Sequence, residues 1–205
     1  MKLFSAIVEI LFPPSFSKQD LTSIPSAPEP AEEGVFALFD YHHSKGKRLI
    51  YDLKRREERV LSKHIASLMA EHLAEYLADQ GMFGCFVAPV IVPLPLSRKS
   101  HKTRGFNQNN LMARHLAHLV GGTYEPGLLI KTKETKKQAL IKSRRERYLN
   151  VKGSMRVSDD RIHLVRNRDV ILVDDLVTSG ATIGEAKRAL EKAGARNIIA
   201  VTVGH

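Results

Sequence analysis

The stretch VILVDDLVTSGAT, residues 170–182, constrains the fold more than any other part of this chain. Four consecutive apolar residues run straight into two carboxylates, Asp174 and Asp175. A β-rich run with no polar alternation is the pattern of a strand buried on both faces, which needs helices on both sides of its sheet. FVAPVIV at 86–92 has the same pattern. VFALFDYHH at 35–43, LLIKT at 128–132 and NIIAVTV at 197–203 read as further strands. Between them lie stretches of helical period: Lys47 to about Gln80, stopped by Gly81; Asn107 to Leu119, ended by Gly121 and Gly122; and Thr182 to Ala193, closed by Gly194. Strands alternating with helices predict an α/β fold with a mostly parallel central sheet flanked by helices.

The 205 residues suffice for one sizeable domain with a small appendage. The division expected is 1–34 as an N-terminal helix and Pro-rich linker, then 35–205 as the main domain. Residues 13–33, PPSFSKQDLTSIPSAPEPAEE, are rich in Pro, Ser and Glu and read as a linker, partly disordered if nothing holds it. MKLFSAIVEILFPP has one basic residue, carries Glu9 within its apolar stretch and shows no small-residue cleavage site. It reads as a helix docked on the body rather than an export signal. No apolar run approaches the roughly 20 residues of a membrane span. A single cysteine, Cys85, excludes an intramolecular disulfide and a Cys-based zinc site, and its apolar neighbours suggest a buried thiol. A cytoplasmic location is the simplest expectation.

The formal net charge of +10 points to polyanionic or phosphate-rich partners. Residues 131–147 hold eight Lys or Arg against two Glu, and RKSHKTR at 98–104 holds four basic residues with no acid. The histidines show no metal-ligand spacing; His64 and His72 lie two helical turns apart, on the flank of one helix.

The carboxylate pair carries the chemistry. In a parallel sheet, ligands sit at the carboxyl ends of strands, where Asp174 and Asp175 fall. The residues after them turn into a helix whose first N–H groups and dipole favour phosphate. Thr178, Ser179 and Thr182 add hydroxyls, and Gly180 with Ala181 lets the backbone come close. Adjacent carboxylates repel phosphate but accept hydrogen bonds from two vicinal hydroxyls, or help hold a divalent cation. Together the halves make a receptor for a ribose 5-phosphate. An Asp before Thr or Ser is otherwise often only a helix cap. A receiver domain also ends a strand in two acids, but there about a hundred residues must follow; here 30 remain.

VILVDDLVTSGAT resembles the phosphoribosyl pyrophosphate (PRPP) signature of the type I phosphoribosyltransferases. VPLPLSRKSHKTRGFNQNNLMARHLA at 92–117 narrows the resemblance to the ComF family, associated with competence for DNA uptake in natural transformation. RLIYDLKRREE around Lys54, TKKQALIKSRRERYLN and the final VTV strand are similar to ComF features as well. The resemblance implies a type I phosphoribosyltransferase fold with an N-terminal hood or linker region. ComF proteins commonly carry a four-cysteine zinc finger after an LFPP-like segment; here Ser15 follows LFPP and the cysteines are absent, so no zinc is expected.

By this resemblance Leu96, Ser97 and Arg98 form the pyrophosphate loop. Lys102, Arg104, Gly105, Asn107 and Gln108 belong to a flexible flap hinged at Gly105. Gln138, Arg147 and Asn150 match further polar positions, covering the site, touching a base or, for Asn150, serving as a turn residue. The implied chemistry is displacement of Mg-pyrophosphate at ribose C1 by an unidentified acceptor, with Asp174 and Asp175 orienting the ribose and stabilising positive charge. Mg²⁺ arrives with PRPP. The alternative is a competence accessory protein binding single-stranded DNA or a helicase partner, for which aromatic interleaving is thin: Tyr148 alone adjoins the basic run.

Overall fold

The computed structural model describes residues 16–28, 33–79, 81, 86–136, 140–141 and 143–205. Its centre is a five-stranded sheet: β1 (Val35–Phe39), β2 (Val90–Pro93), β3 (Thr123–Tyr124), β6 (Val170–Leu176) and β7 (Ile198–Gly204) in the order β1-β7-β6-β2-β3. Every pairing in it is parallel. Strands β4 (Leu129–Lys131) and β5 (Met155–Val157) form a separate antiparallel pair.

Strand β6 shows why the sheet is covered on both sides. Ile171 and Val173 point into one core with Leu61, Ile65, Met69, Met112 and Leu116. Val170 and Leu172 point into the other, with Leu128, Val157, Ile183, Ala186 and Leu190. The first layer comes from α2 (Ser44–Arg55), α3 (Arg59–Asp79) and α5 (Gln108–Val120). The second comes from α7 (Ala181–Lys192) and the β4–β5 pair. Short helices α1 (Lys18–Thr22), α4 (Arg98–Arg104) and α6 (Arg144–Val151) complete the set among the described residues, with a 3₁₀ turn over Asp159–Leu164. Leu61, Ile65 and Leu116 are wholly buried, so truncating any one to Ala would cost about 2–5 kcal/mol.

Several sequence expectations are corrected. The helix expected over Lys47–Gln80 is two helices, with Arg56 extended at φ −125° and ψ 134° between them. The charged run Lys54–Arg59 offers no buried side chain at which periodicity could mark the break. The strand expected from 86 begins only at Val90: Ala88 has φ 47° and Val87 is 73% exposed. Apolar character alone did not separate that bend from the buried strand after it. The strand at 35 ends at Phe39, because His43 turns the chain and caps α2 with its side chain. Gly46 is needed there, since a Cβ would lie 2.1 Å from the Asp40 carbonyl oxygen.

The described part of the linker is held by the body. Phe16, Leu21 and Ile24 are buried in the first core, and Ser26 bridges to Phe39. Residues 1–15, with the expected docked helix, and Cys85 lie outside the described residues. Among the described residues no helix is long and apolar enough to cross a membrane.

Candidate functional site

Strand β6 is longer than β2 at its carboxyl end. The ladder between them stops at Pro93 opposite Val173, closed by the Leu94 N–H donating to the Val173 carbonyl at 2.9 Å. On the other side β7 continues beside Asp174 and Leu176. After β2 the chain crosses outward to β3; after β6 it crosses the opposite way to β7. This is a topological switch point, where a parallel sheet leaves a crevice for ligands. Asp174 and Asp175 stand at its edge.

The two carboxylates have different surroundings. Asp174 accepts a hydrogen bond from the Asn109 side-chain amide at 2.9 Å and from the Asp175 N–H at 2.9 Å. Burial first, and the adjacent Asp175 charge second, push its carboxyl up to about 7, against the opposing pull of those hydrogen bonds and Lys54. Asp175 accepts from the Gln108 side-chain amide, with Lys54 Nζ 3.3 Å and Arg104 Nη1 3.9 Å away. Gln108 in turn takes a bond from Arg104 Nη1 at 3.2 Å. Lys54 comes from the last turn of α2, so the helix break at 56 leaves α2 ending beside the site.

The loop after the pair ends in an open helix start. Gly180 adopts φ 70°, a left-handed conformation that favours glycine, and α7 begins at Ala181 with no side-chain cap. Helices α1, α2, α4, α5 and α6 are all capped, by Ser17, His43, Ser97, Asn107 and Ser143. The contrast leaves the first turn of α7 able to donate to an anion. Thr178, Ser179, Gly180, Ala181 and Thr182 all line a pocket of about 550 Å³ together with Asp174, Asp175, Lys54, Arg104 and Arg147. Two adjacent carboxylates, an uncapped helix start and three cations therefore share one cavity.

Beyond Asp174 lies a second cavity of about 160 Å³, lined by Leu96, Ser97, Ser100, Asn109, Lys131 and Lys136 among others. Burial lowers the Lys131 ammonium pKa, which Glu134 and Asp174 partly offset. The expected flap is not a loop: residues 98–104 form α4, with Ser97 bonding the Ser100 N–H, and Gly105 ends it at φ 78°. Asn107 and Gln108 are buried at the start of α5; Asn107 also ties down the Leu94 carbonyl at 3.1 Å. Ser97 as the cap of this helix is a signal that the charge-rich sequence obscured. Lys102 is exposed and outside both cavities, and the Arg98 side chain is exposed. The Arg98 N–H donates to Glu134 Oε1 at 2.9 Å.

Asn150 sits on α6, not in a turn, and clamps the Lys136 backbone, accepting from its N–H at 3.0 Å and donating to its carbonyl at 2.9 Å. Gln138 lies outside the described residues. Asn109 and Lys131 escaped the sequence reading, although the amide-rich run NQNN and the charged end of LLIK were visible signals. Lys54 was visible only as part of a resemblance.

The family model described as "Phosphoribosyl transferase domain" matches residues 102–204. The chain is 29% identical over 150 residues to the DNA utilization protein YhgH of Salmonella typhimurium, covering 73% of this chain and 63% of that protein. It is 33% identical over 115 residues to the competence protein ComFC of Bacillus subtilis, covering 56% and 43% respectively. With ComFC of Streptococcus pneumoniae it shares 28% over 162 residues, 79% of this chain and 64% of that one. The chain thus spans under two thirds of the length of these relatives. A solved glutamine PRPP amidotransferase from B. subtilis overlays with a TM-score of 0.42 and 18% identity, over 75% of this chain and 30% of that one. The match over 102–204 takes in both β6 with its aspartate pair and the α7 anion cradle, and on it the chain belongs to the phosphoribosyl transferase domain family.

Proposed function

We propose that this chain binds PRPP with Mg²⁺ in the pocket at the end of β6 and transfers the phosphoribosyl group to an acceptor, in a protein serving DNA uptake. One observation carries the reading: Asp174, Asp175 and the uncapped start of α7 line the same cavity, with Lys54, Arg104 and Arg147 around it. The 5-phosphate lies against residues 178–182, and the ribose hydroxyls donate to the aspartates. To make room, the Gln108 amide and the Lys54 ammonium give up Asp175, so binding exchanges internal hydrogen bonds for ligand ones.

Oxygen donors suited to a hard cation are present: the Asp174 carboxylate, and the buried Asn109 Oδ1, which has no hydrogen-bond partner among the described residues. Among those residues no group of three or more His, Cys, Asp or Glu could hold a metal unaided. Bound Mg²⁺ would offset the charge of the departing pyrophosphate. The chain's own residues position the ribose, stabilise positive charge at C1 and hold cations near the leaving group. Isothermal titration with PRPP, with and without Mg²⁺, tests this; absence of Mg²⁺-dependent binding to the folded protein would sink it.

A second reading is supported by a different surface. Tyr148 and Leu149 on α6 are 49% and 55% exposed, and Leu140 is 77% exposed, beside Arg144 and Arg145. Aromatic and basic side chains together suit single-stranded DNA, and relatives are named for competence and DNA utilization. A gel shift across a salt series checks it: phosphate contacts predict steep salt dependence, and Tyr148→Ala should weaken binding.

A further inference from the structure

A pocket of about 430 Å³ opens beside the α4–α5 turn, and none of Asp174, Asp175 or residues 178–182 lines it. Two rings contribute to its wall, Phe106 from the turn and Tyr124 from the end of β3. Arg59 at the start of α3 and Arg114 on α5 bring guanidinium groups, and the Arg114 group lies 5.4 Å from the Tyr124 ring centre. Asn110 adds an amide, and Glu57 is the carboxylate in the lining.

From these features we infer a second small-molecule site, selective for a planar aromatic ring that carries an anionic group. The volume falls within the range of small-ligand pockets and accommodates one or two rings. Ring faces favour a flat, polarisable ligand over a saturated one of the same size. A guanidinium already stacked on an aromatic is pre-organised to take a carboxylate with two parallel N–H bonds. Asn110 gives the ring edge a donor and an acceptor. His115 also lines the pocket; burial first, then Lys63, Arg114 and His118, hold its imidazole below the usual range. It therefore adds a neutral hydrogen-bonding edge at neutral pH, and the anion relies on the two arginines.

The position gives the site a route to the aspartates. Phe106 is two residues before Gln108, whose amide holds Asp175, and Asn107 between them is buried. A ligand that fixes Phe106 fixes the helix start that grips Asp175.

Nicotinate is a suitable probe, because it lacks the ribose and phosphate proposed for the aspartate pocket, and shifts at Phe106, Asn110 and Arg114 distinguish binding here from an anion held at the start of α7. Nicotinamide keeps the ring without the charge, and cyclohexanecarboxylate keeps the charge without the flat ring. Titrations of the full chain followed by NMR should show nicotinate shifting Phe106, Asn110 and Arg114, with affinity about tenfold above either control. Arg114→Met and Phe106→Leu should each reduce nicotinate binding about tenfold, while Asp175→Asn leaves it intact. Equal affinity for all three probes, shifts confined elsewhere, or indifference to both pocket variants in folded protein would overturn the inference. Loss of PRPP binding alone would not touch it.

Discussion

The two ends of strand β6 each hold a carboxylate, Asp169 buried and Asp174 half-buried, and they are built in opposite ways. At the amino end Asp169 accepts from Arg196 Nε at 2.8 Å, from Arg196 Nη2 and from Asn197 Nδ2 at 2.9 Å. Burial alone would raise its pKa, but the bonds from Arg196 and Asn197 outweigh that and lower it. At the carboxyl end Asp174 is pushed up to about 7, because burial and Asp175 outweigh its two hydrogen bonds. A satisfied carboxylate closes a structure. An under-satisfied one next to a second negative charge costs stability and is left for something that brings donors or cations.

The comparison breaks first at Asp169. Asp169→Ala leaves Arg196 and Asn197 without their shared acceptor and should cost about 3 kcal/mol in chemical denaturation, with PRPP binding by the remaining folded protein unchanged. Next comes Asp175→Asn, which removes one of the two proposed ribose acceptors and should weaken PRPP binding about 100-fold by calorimetry, with little change in stability.

Asp174→Asn sharpens the contrast through pH. Its folded pKa lies above its unfolded value, so between about pH 4 and 7 the folded state holds the extra proton and stability falls as pH rises. Replacing it should stabilise the protein by about 1–2 kcal/mol at pH 8, with the gain shrinking as pH falls from 7 towards 4. Asp169 has the opposite sign: its depressed pKa contributes stability above the unfolded value that is lost as pH falls through the folded one. A gain for Asp174→Asn that did not vary with pH would break the comparison.

The smallest expected effect concerns the neighbouring strand end. There the Arg98 N–H is already taken by the Glu134 carboxylate, beside the cavity lined by Lys131. Glu134→Gln should raise affinity for PRPP about threefold, because a neutral amide competes less well with an incoming anion. Unchanged affinity would show that Glu134 only braces the loop.

Much of this was readable from local pattern. VILV, NIIAVTV and the helical stretch before Gly121 appear where periodicity places them, and DDLVTSGAT forms the strand end and uncapped helix start that its residues imply. Local physics decides such elements, since burial on both faces and a glycine at positive φ are written in adjacent residues. The 98–104 segment was less legible: a run of cations reads as a mobile flap until Ser97 is seen bonding Ser100 N–H. The β3 and β5 strands are two and three residues long and carry almost no periodic signal.

The sequence by itself determined the sheet's central strand, the helix that follows it and a carboxylate pair set ahead of a Thr/Ser/Gly turn, because each depends on residues adjacent along the chain. Only the tertiary structure decided which side chains meet that pair. Lys54 reaches Asp175 across 121 positions, Gln108 across 67 and Asn109 reaches Asp174 across 65. Distant groups likewise decide that Asp169 is ion-paired, with Arg196 27 positions away, while Asp174 is held by the Asn109 amide. Adjacent residues fix where a carboxylate stands, but its charge state is set by the distant groups that folding brings within hydrogen-bonding reach.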